Sequence, residues 1–281
     1  GQIRRYDVAS GIALTPFATS TSITGCDITV DHRFLYCTDL ETVAETGFVR
    51  KFDLVNGALT SLPFVKGGDG GGEELVIGAG GIALFHHNYP GSGPTPLRRL
   101  DTNTDTFLSS LGELWEGANF YSGPGKETFV VIERALSTGT IFRMDGRTFA
   151  GLGGFSLGTN NGGVEAKINR DGTLVALSCC GGVSIRSRTL QSIRTLPGLT
   201  LPFAFDPNRD RFYATDTTTD ELVAIDTGTW QQLFRIPVAE NVTGGGDMVV
   251  SSNGEFVFMR TPSGVRMINV AAPNSVLGVL S

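Results

Sequence analysis

A repeated module limits what this chain can become. Residues 201–238 hold four short runs of β-forming residues, the first three ended by turn chemistry. Leu201 to Phe205 stops at Asp206-Pro207-Asn208-Arg209-Asp210. Arg211 to Thr215 stops at Asp216 to Asp220, and Leu222 to Ile225 at Asp226-Thr227-Gly228-Thr229. Trp230 to Val238 is the last run. Four strands with tight connections make an antiparallel meander. A sheet with two apolar faces needs neighbours, so copies must stack. Calling the strands of a unit A to D, the A strands start near Cys26, Glu73, Ala118, Val164, Pro202 and Gly246. The differences between those positions run from 38 to 47 residues, the range of four-stranded propeller blades.

The turn from C to D recurs most clearly. Asp7, Asp53, Asp101, Asp145, Asp226 and Asn269 end C strands, and Ser187 holds that place in the remaining unit. A short oxygen-bearing side chain there accepts hydrogen bonds from the turn's own N–H groups, so turn chemistry accounts for these residues without a functional role. Leu-Pro-Phe-Ala-Phe-Asp-Pro (201–207), Arg-Phe-Tyr-Ala-Thr-Asp (211–216) and Leu-Val-Ala-Ile-Asp-Thr (222–227) together resemble the YVTN-type β-propeller repeat. Phe34-Leu35-Tyr36-Cys37-Thr38-Asp39 is a second, looser match. The resemblance implies an all-β propeller of four-stranded antiparallel blades around a channel, one domain over residues 1–281. Lactonase-like enzymes, surface-layer proteins and binding modules share that repeat, so it transfers no function by itself.

The strand count does not close. C–D pairs begin near residues 3, 48, 97, 139, 182, 221 and 265, but A–B pairs only near 26, 73, 118, 164, 202 and 246. Six full units and an N-terminal half-blade are expected, seven blades in all. An isolated two-stranded hairpin is marginal in water. The missing strands would come from a longer chain or from a neighbouring molecule pairing with the open edge, or else the hairpin packs outside a six-bladed ring. The chain opens on Gly1 without an initiator methionine, so a processed or excised chain is expected.

Composition narrows the partners. Net charge is −6, which disfavours a general nucleic-acid binder, because phosphate binding needs a basic face. No apolar run is long enough to span a bilayer. The 38 glycines suit many sharp turns. Those at Gly67–Gly72, and the stretch His86–Pro96, read as surface loops where blades join.

Aligned on the apolar residue that follows, the A strands begin with Asp27, Glu74, Asn119, Glu165, Phe203 and Asp247. Four carboxylates and an amide would then point to one rim of the channel. Such a set suits Ca²⁺ or Mg²⁺. Like charges in contact there repel by roughly 1–4 kcal/mol per pair, which a cation would relieve. A lactonase-like propeller implies a similar metal. The alternative is that these groups stand apart in a wide, water-filled channel.

Cys26 and Cys37 face each other across an A–B hairpin and suit a disulfide; buried free thiols are the alternative. Cys179-Cys180 would form a vicinal disulfide or be two thiols on opposite strand faces. Four cysteines in this Gly-rich acidic chain lean toward an oxidising compartment. His32 sits in an A–B turn. His86 and His87 end a B strand, where one could face the channel as a general base near Glu74 or stay a solvated loop histidine. Asn241-Val242-Thr243 is a glycosylation sequon. No Gly-x-Ser-x-Gly elbow or phosphate loop occurs.

Two functions fit. One is an extracellular, periplasmic or cell-surface propeller that binds a protein partner or self-associates through the N-terminal half-blade, without a cofactor. The other is a metal-dependent, lactonase-like hydrolase or lyase built on Asp27, Glu74, Asn119, Glu165 and Asp247. The incomplete blade and the lack of a coherent nucleophile favour the first.

Overall fold

The computed structural model describes residues 1–19, 22–67, 70–88, 93–115, 117–133, 139–158, 163–242 and 247–271, and the backbone of 276–280. Residues 68–69 and 89–92 of the two long loops, Thr243 of the sequon and the strand start expected at Gly246 lie outside them. Every regular element among the described residues is a β-strand.

The first sheet has two strands, β1 (Gln2–Asp7) and β2 (Ile12–Ala18). Six four-stranded sheets follow, each with its strands in chain order. They are β3 (Ile23–Ile28), β4 (Phe34–Asp39), β5 (Thr46–Asp53) and β6 (Leu59–Val65), then β7 (Gly72–Ile77), β8 (Ile82–His87), β9 (Pro94–Asp101) and β10 (Thr106–Trp115). The third four-stranded sheet is β11 (Asn119–Ser122), β12 (Thr128–Ile132), β13 (Thr140–Asp145) and β14 (Gly151–Ser156). The fourth is β15 (Ala166–Ile168), β16 (Leu174–Cys179), β17 (Gly182–Ser187) and β18 (Ser192–Pro197). The fifth, β19 (Thr200–Phe205), β20 (Arg211–Asp216), β21 (Glu221–Asp226) and β22 (Gln232–Pro237), is the template stretch of the sequence. The last is β23 (Met248–Val250), β24 (Phe256–Thr261), β25 (Gly264–Asn269) and β26 (Val276–Leu280). The half-blade is therefore present as such, at the front of the chain.

The turn residues act as their chemistry requires. Asp7 Oδ1 accepts the N–H groups of Ala9 and Ser10, Asp53 those of Val55 and Asn56, Asp145 those of Arg147 and Thr148, and Asp226 those of Gly228 and Thr229. Ser187 Oγ does the same for Thr189 and Gln191, and Asn269 for Ala271. These bonds favour the ionised carboxylate, so the pKa values of Asp7, Asp53 and Asp226 are lowered, chiefly by the turn N–H groups.

Two compact units divide the chain: Gly1–Ser122 with Lys126–Gly151 and Phe155–Gly162, and Gly163–Ser281 with Gly123–Gly125 and Leu152–Gly154. In the first unit β3 lies beside β7 and β7 beside β11; in the second β15 lies beside β19 and β19 beside β23. In both, the leading strands are neighbours and the core fills the space between successive sheets. Phe17 meets Phe52 between the first two sheets, Tyr36, Phe64 and Phe85 fill the next interval, and Phe120 and Phe129 the one after. In the second unit Phe203, Phe205 and Phe212 form one cluster and Tyr213, Met248 and Met259 another. Each such side chain taken fully out of water contributes about 1.5–3 kcal/mol. The buried tyrosines keep their hydroxyls satisfied: Tyr36 donates to Thr102 O or Asp105 Oδ1, and Tyr213 to Asp206 Oδ2.

Candidate functional site

The leading strands carry the residues expected to converge. Glu74 and Asn119 each stand three places before the last residue of their strand, Ile77 and Ser122. Gly25 holds that place in β3, whose last residue is Ile28. A Cβ on Gly25 would stand 2.4 Å from Glu74 Cα, so glycine lets these two strands close up. Asp27 is thus two residues farther along than Glu74, about 6–7 Å in an extended strand. The apolar residue used to align them hid this offset. Glu165 and Asp247, in the second unit, precede β15 and β23 and keep the three-place interval to Ile168 and Val250.

Two of the carboxylates already have a counter-charge. Lys126 Nζ donates to Asp27 Oδ1 at 2.6 Å, while the Ile77 N–H donates to Asp27 Oδ2 at 2.8 Å. The side chains of this pair are 11% and 19% exposed, so it is largely withdrawn from water. Lys167 Nζ donates to Asp247 Oδ1 at 2.6 Å in a wetter setting, with Asp247 71% exposed. Asn119 Nδ2 donates to the Tyr121 hydroxyl, and the Glu165 N–H to Ser178 Oγ. Among the described residues, no three His, Cys, Asp or Glu side chains gather closely enough to hold a metal ion. Sequence reading missed both lysines. Their partners lie 99 and 80 residues away, and nothing in the repeat marks them.

The histidine expectation also changes. His86 and His87 are both fully buried, and neither is a solvated loop residue. His86 pairs with Glu74 in the β7–β8 register, and its Nε2 donates to Ala118 O at 2.6 Å. Its Nδ1 stands 4.0 Å from Glu73 Oε2. The His87 ring centroid is 4.9 Å from that of Phe64 and 5.9 Å from that of Phe85. Burial, helped by the charge of Arg98, lowers its pKa to about 3. A ring so weakly basic and so enclosed is core, not a general base. His32 keeps its turn, where its N–H donates to Thr29 O.

Strand-C arginines form a second recurrent feature that the sequence reading passed over. Arg50, Arg98 and Arg266 each stand three residues before a turn residue, Asp53, Asp101 and Asn269. Arg50 Nε donates to the buried Asp39 at 2.7 Å, and Arg266 pairs with Glu240. The spacing was visible; the partners, each on a different segment, were not.

Cys26 and Cys37 are directly opposed in the β3–β4 register and form a disulfide with Cα atoms 4.1 Å apart. Cys179 and Cys180 are thiols, but they do not face opposite ways: their sulfurs are 2.8 Å apart. Cys180 has left the strand. It occupies the hairpin loop between β16 and β17 with φ at 65°.

No protein-family model matches this chain, and no curated protein matches its sequence. Solved structures do. The hydrazine synthase of Kuenenia stuttgartiensis aligns over 96% of this chain and 90% of its own, with a TM-score of 0.69 and 14% identity. A functionally unknown protein from Desulfotomaculum acetoxidans DSM 771 aligns over 99% and 91%, with a TM-score of 0.67 and 11% identity. The Dos1 propeller aligns over 91% and 70%, with a TM-score of 0.65 and 15% identity. At such identities the likeness concerns the fold and not the YVTN-type repeat or any activity. Together with the meander sheets, it identifies the fold of this chain as a β-propeller.

Proposed function

We propose that this chain is a propeller binding and structural module of the cell surface or extracellular space, and that it self-associates through its first blade. The observation that carries this reading is the pairing of β1. Among the described residues it has β2 on one edge and no strand on the other, whereas each remaining sheet has four strands. An open edge presents unpaired N–H and C=O groups to a further strand. The start of β1 also borders a cavity of about 660 Å³ lined by Gly1, Gln2, Ser22, Ile23, Leu40 and Glu41. A second copy supplies two strands to that edge. Two β1 strands meeting antiparallel about a twofold axis give a four-stranded sheet, β2–β1–β1–β2. The disulfide between Cys26 and Cys37 supports an oxidising compartment.

Sedimentation equilibrium over a wide concentration range tests this. Arg4 is exposed and lies at the irregularity between Ile3 and Arg5, where pairing to β2 lapses. Proline there removes an N–H from the strand. The expected result is a concentration-dependent dimer for the native chain and a monomer with unchanged circular dichroism for Arg4→Pro. A native chain that stays monomeric throughout overturns the proposal.

A further inference from the structure

The cysteine pair of the second unit is placed for chemistry. β16 ends at Cys179, which pairs with Gly182 at the start of β17, so the loop between them is Cys180-Gly181 alone. Both loop residues have positive φ, 65° and 82°, the shape of a two-residue hairpin turn that asparagine or glycine ordinarily fills. Side chains of successive strand residues point to opposite faces. The left-handed backbone of Cys180 cancels that alternation and brings its sulfur to 2.8 Å from that of Cys179. A disulfide bond is about 2.05 Å long, so the two sulfurs stand under 1 Å beyond bonding distance.

The two sulfurs differ in setting. Cys180 is exposed and Cys179 is half-buried. Burial, followed by the hydrogen bond from the Cys180 thiol, pushes the pKa of Cys179 up to about 12. The pair also lines a cavity of about 300 Å³ with Ser178, Leu199, Thr200 and Leu201, at the small end of the range for organic ligands. An exposed thiol, a shielded thiol in contact with it and an adjoining cavity make an attacking group, a resolving group and a place for a small reactant.

We propose that Cys179 and Cys180 form a thiol–disulfide exchange site for low-molecular-weight disulfides. Cys180, as thiolate, attacks one sulfur of an incoming disulfide RSSR. The RS–SR bond breaks, a Cys180–SR mixed disulfide forms, and the first RS⁻ leaves and takes up a proton. The Cys179 sulfur then attacks Cys180 Sγ, loses its proton and expels the second thiol. The sum is one dithiol and one RSSR giving one vicinal disulfide and two RSH, with two electrons passing from the protein to the reactant.

Glutathione disulfide serves as the probe, with the full chain. Trypsin releases Asp171–Arg186, a peptide that contains both cysteines and neither residue of the other disulfide. After treatment and alkylation, the native peptide is expected to have lost two hydrogens and to carry no alkyl group or glutathione. Cys179→Ser is expected to stop at a stable glutathione adduct on Cys180. Cys180→Ser is expected to form an adduct at least about tenfold more slowly, because the remaining thiol is shielded. Closure in the native chain needs no variant to be read. A native peptide that stops at the adduct, or that alkylates at both cysteines after treatment, overturns the proposal.

Discussion

His87 lies among Phe64 and Phe85, and its pKa of about 3 lies well below the ordinary 6.5 of an unfolded histidine. Above pH 6.5 neither state of the protein binds this proton, and the residue has no effect on pH dependence. Below it, the unfolded chain binds a proton that the folded chain refuses. Stability is therefore fully present above 6.5 and is lost as pH falls toward 3, by up to about 1.4 kcal/mol per pH unit. Phenylalanine fits the aromatic surroundings and removes the proton. Between pH 7 and 4.5, the unfolding free energy from urea titration should fall by about 2–3 kcal/mol more in the native chain than in His87→Phe. Equal losses in both proteins would show that His87 is protonated inside the fold.

The first full hairpin puts a covalent tie where the chain needs one. Cys37 is fully buried beside Phe17 and Phe52, so the disulfide joins the half-blade's neighbour at the point where the two sheets pack. Its partners are 11 residues apart, and closing so short a loop in the unfolded chain is worth about 2–3 kcal/mol. The double variant Cys26→Ala, Cys37→Ala should lose that amount in a denaturant titration, and an unchanged midpoint would remove the disulfide from the stability of this sheet. At this scale the sequence was most legible. Turns are local: Asp226 needs only the N–H groups of Gly228 and Thr229, which lie beside it in the chain. Strand pairing within a meander is nearly as local, so the half-blade and the six full sheets could be counted from turn residues. The candidate site was less legible because side-chain level depends on backbone detail. Gly25 and not Asp27 sits against Glu74, and the turn at Cys180 reverses a side chain that strand alternation would send away.

Across the molecule, 28 acidic residues face 22 basic ones, and a set of strand-A carboxylates invites the expectation of a bound cation. Long-range lysines alter that expectation. Lys126 precedes β12 of the fourth sheet and reaches Asp27 in the second; Lys167 lies on β15 of the fifth sheet and reaches Asp247, just ahead of the seventh. Each pair passes over the intervening sheet within its own unit, and each supplies at a carboxylate the positive charge that Ca²⁺ or Mg²⁺ would otherwise bring. An ammonium is fixed to the chain, so its effect does not depend on metal concentration, whereas a bound ion stabilises by mass action. Thermal melting should therefore be the same in excess chelator and in millimolar Ca²⁺. Lys126→Met should lower stability by about 2–3 kcal/mol, because the Asp27 carboxylate would keep its burial and lose its partner. Lys167→Met should change it by less than about 1 kcal/mol, since Asp247 is open to water. A midpoint that rises by several degrees with Ca²⁺ in the native chain would restore a metal to the leading-strand carboxylates and give the lysines a secondary part.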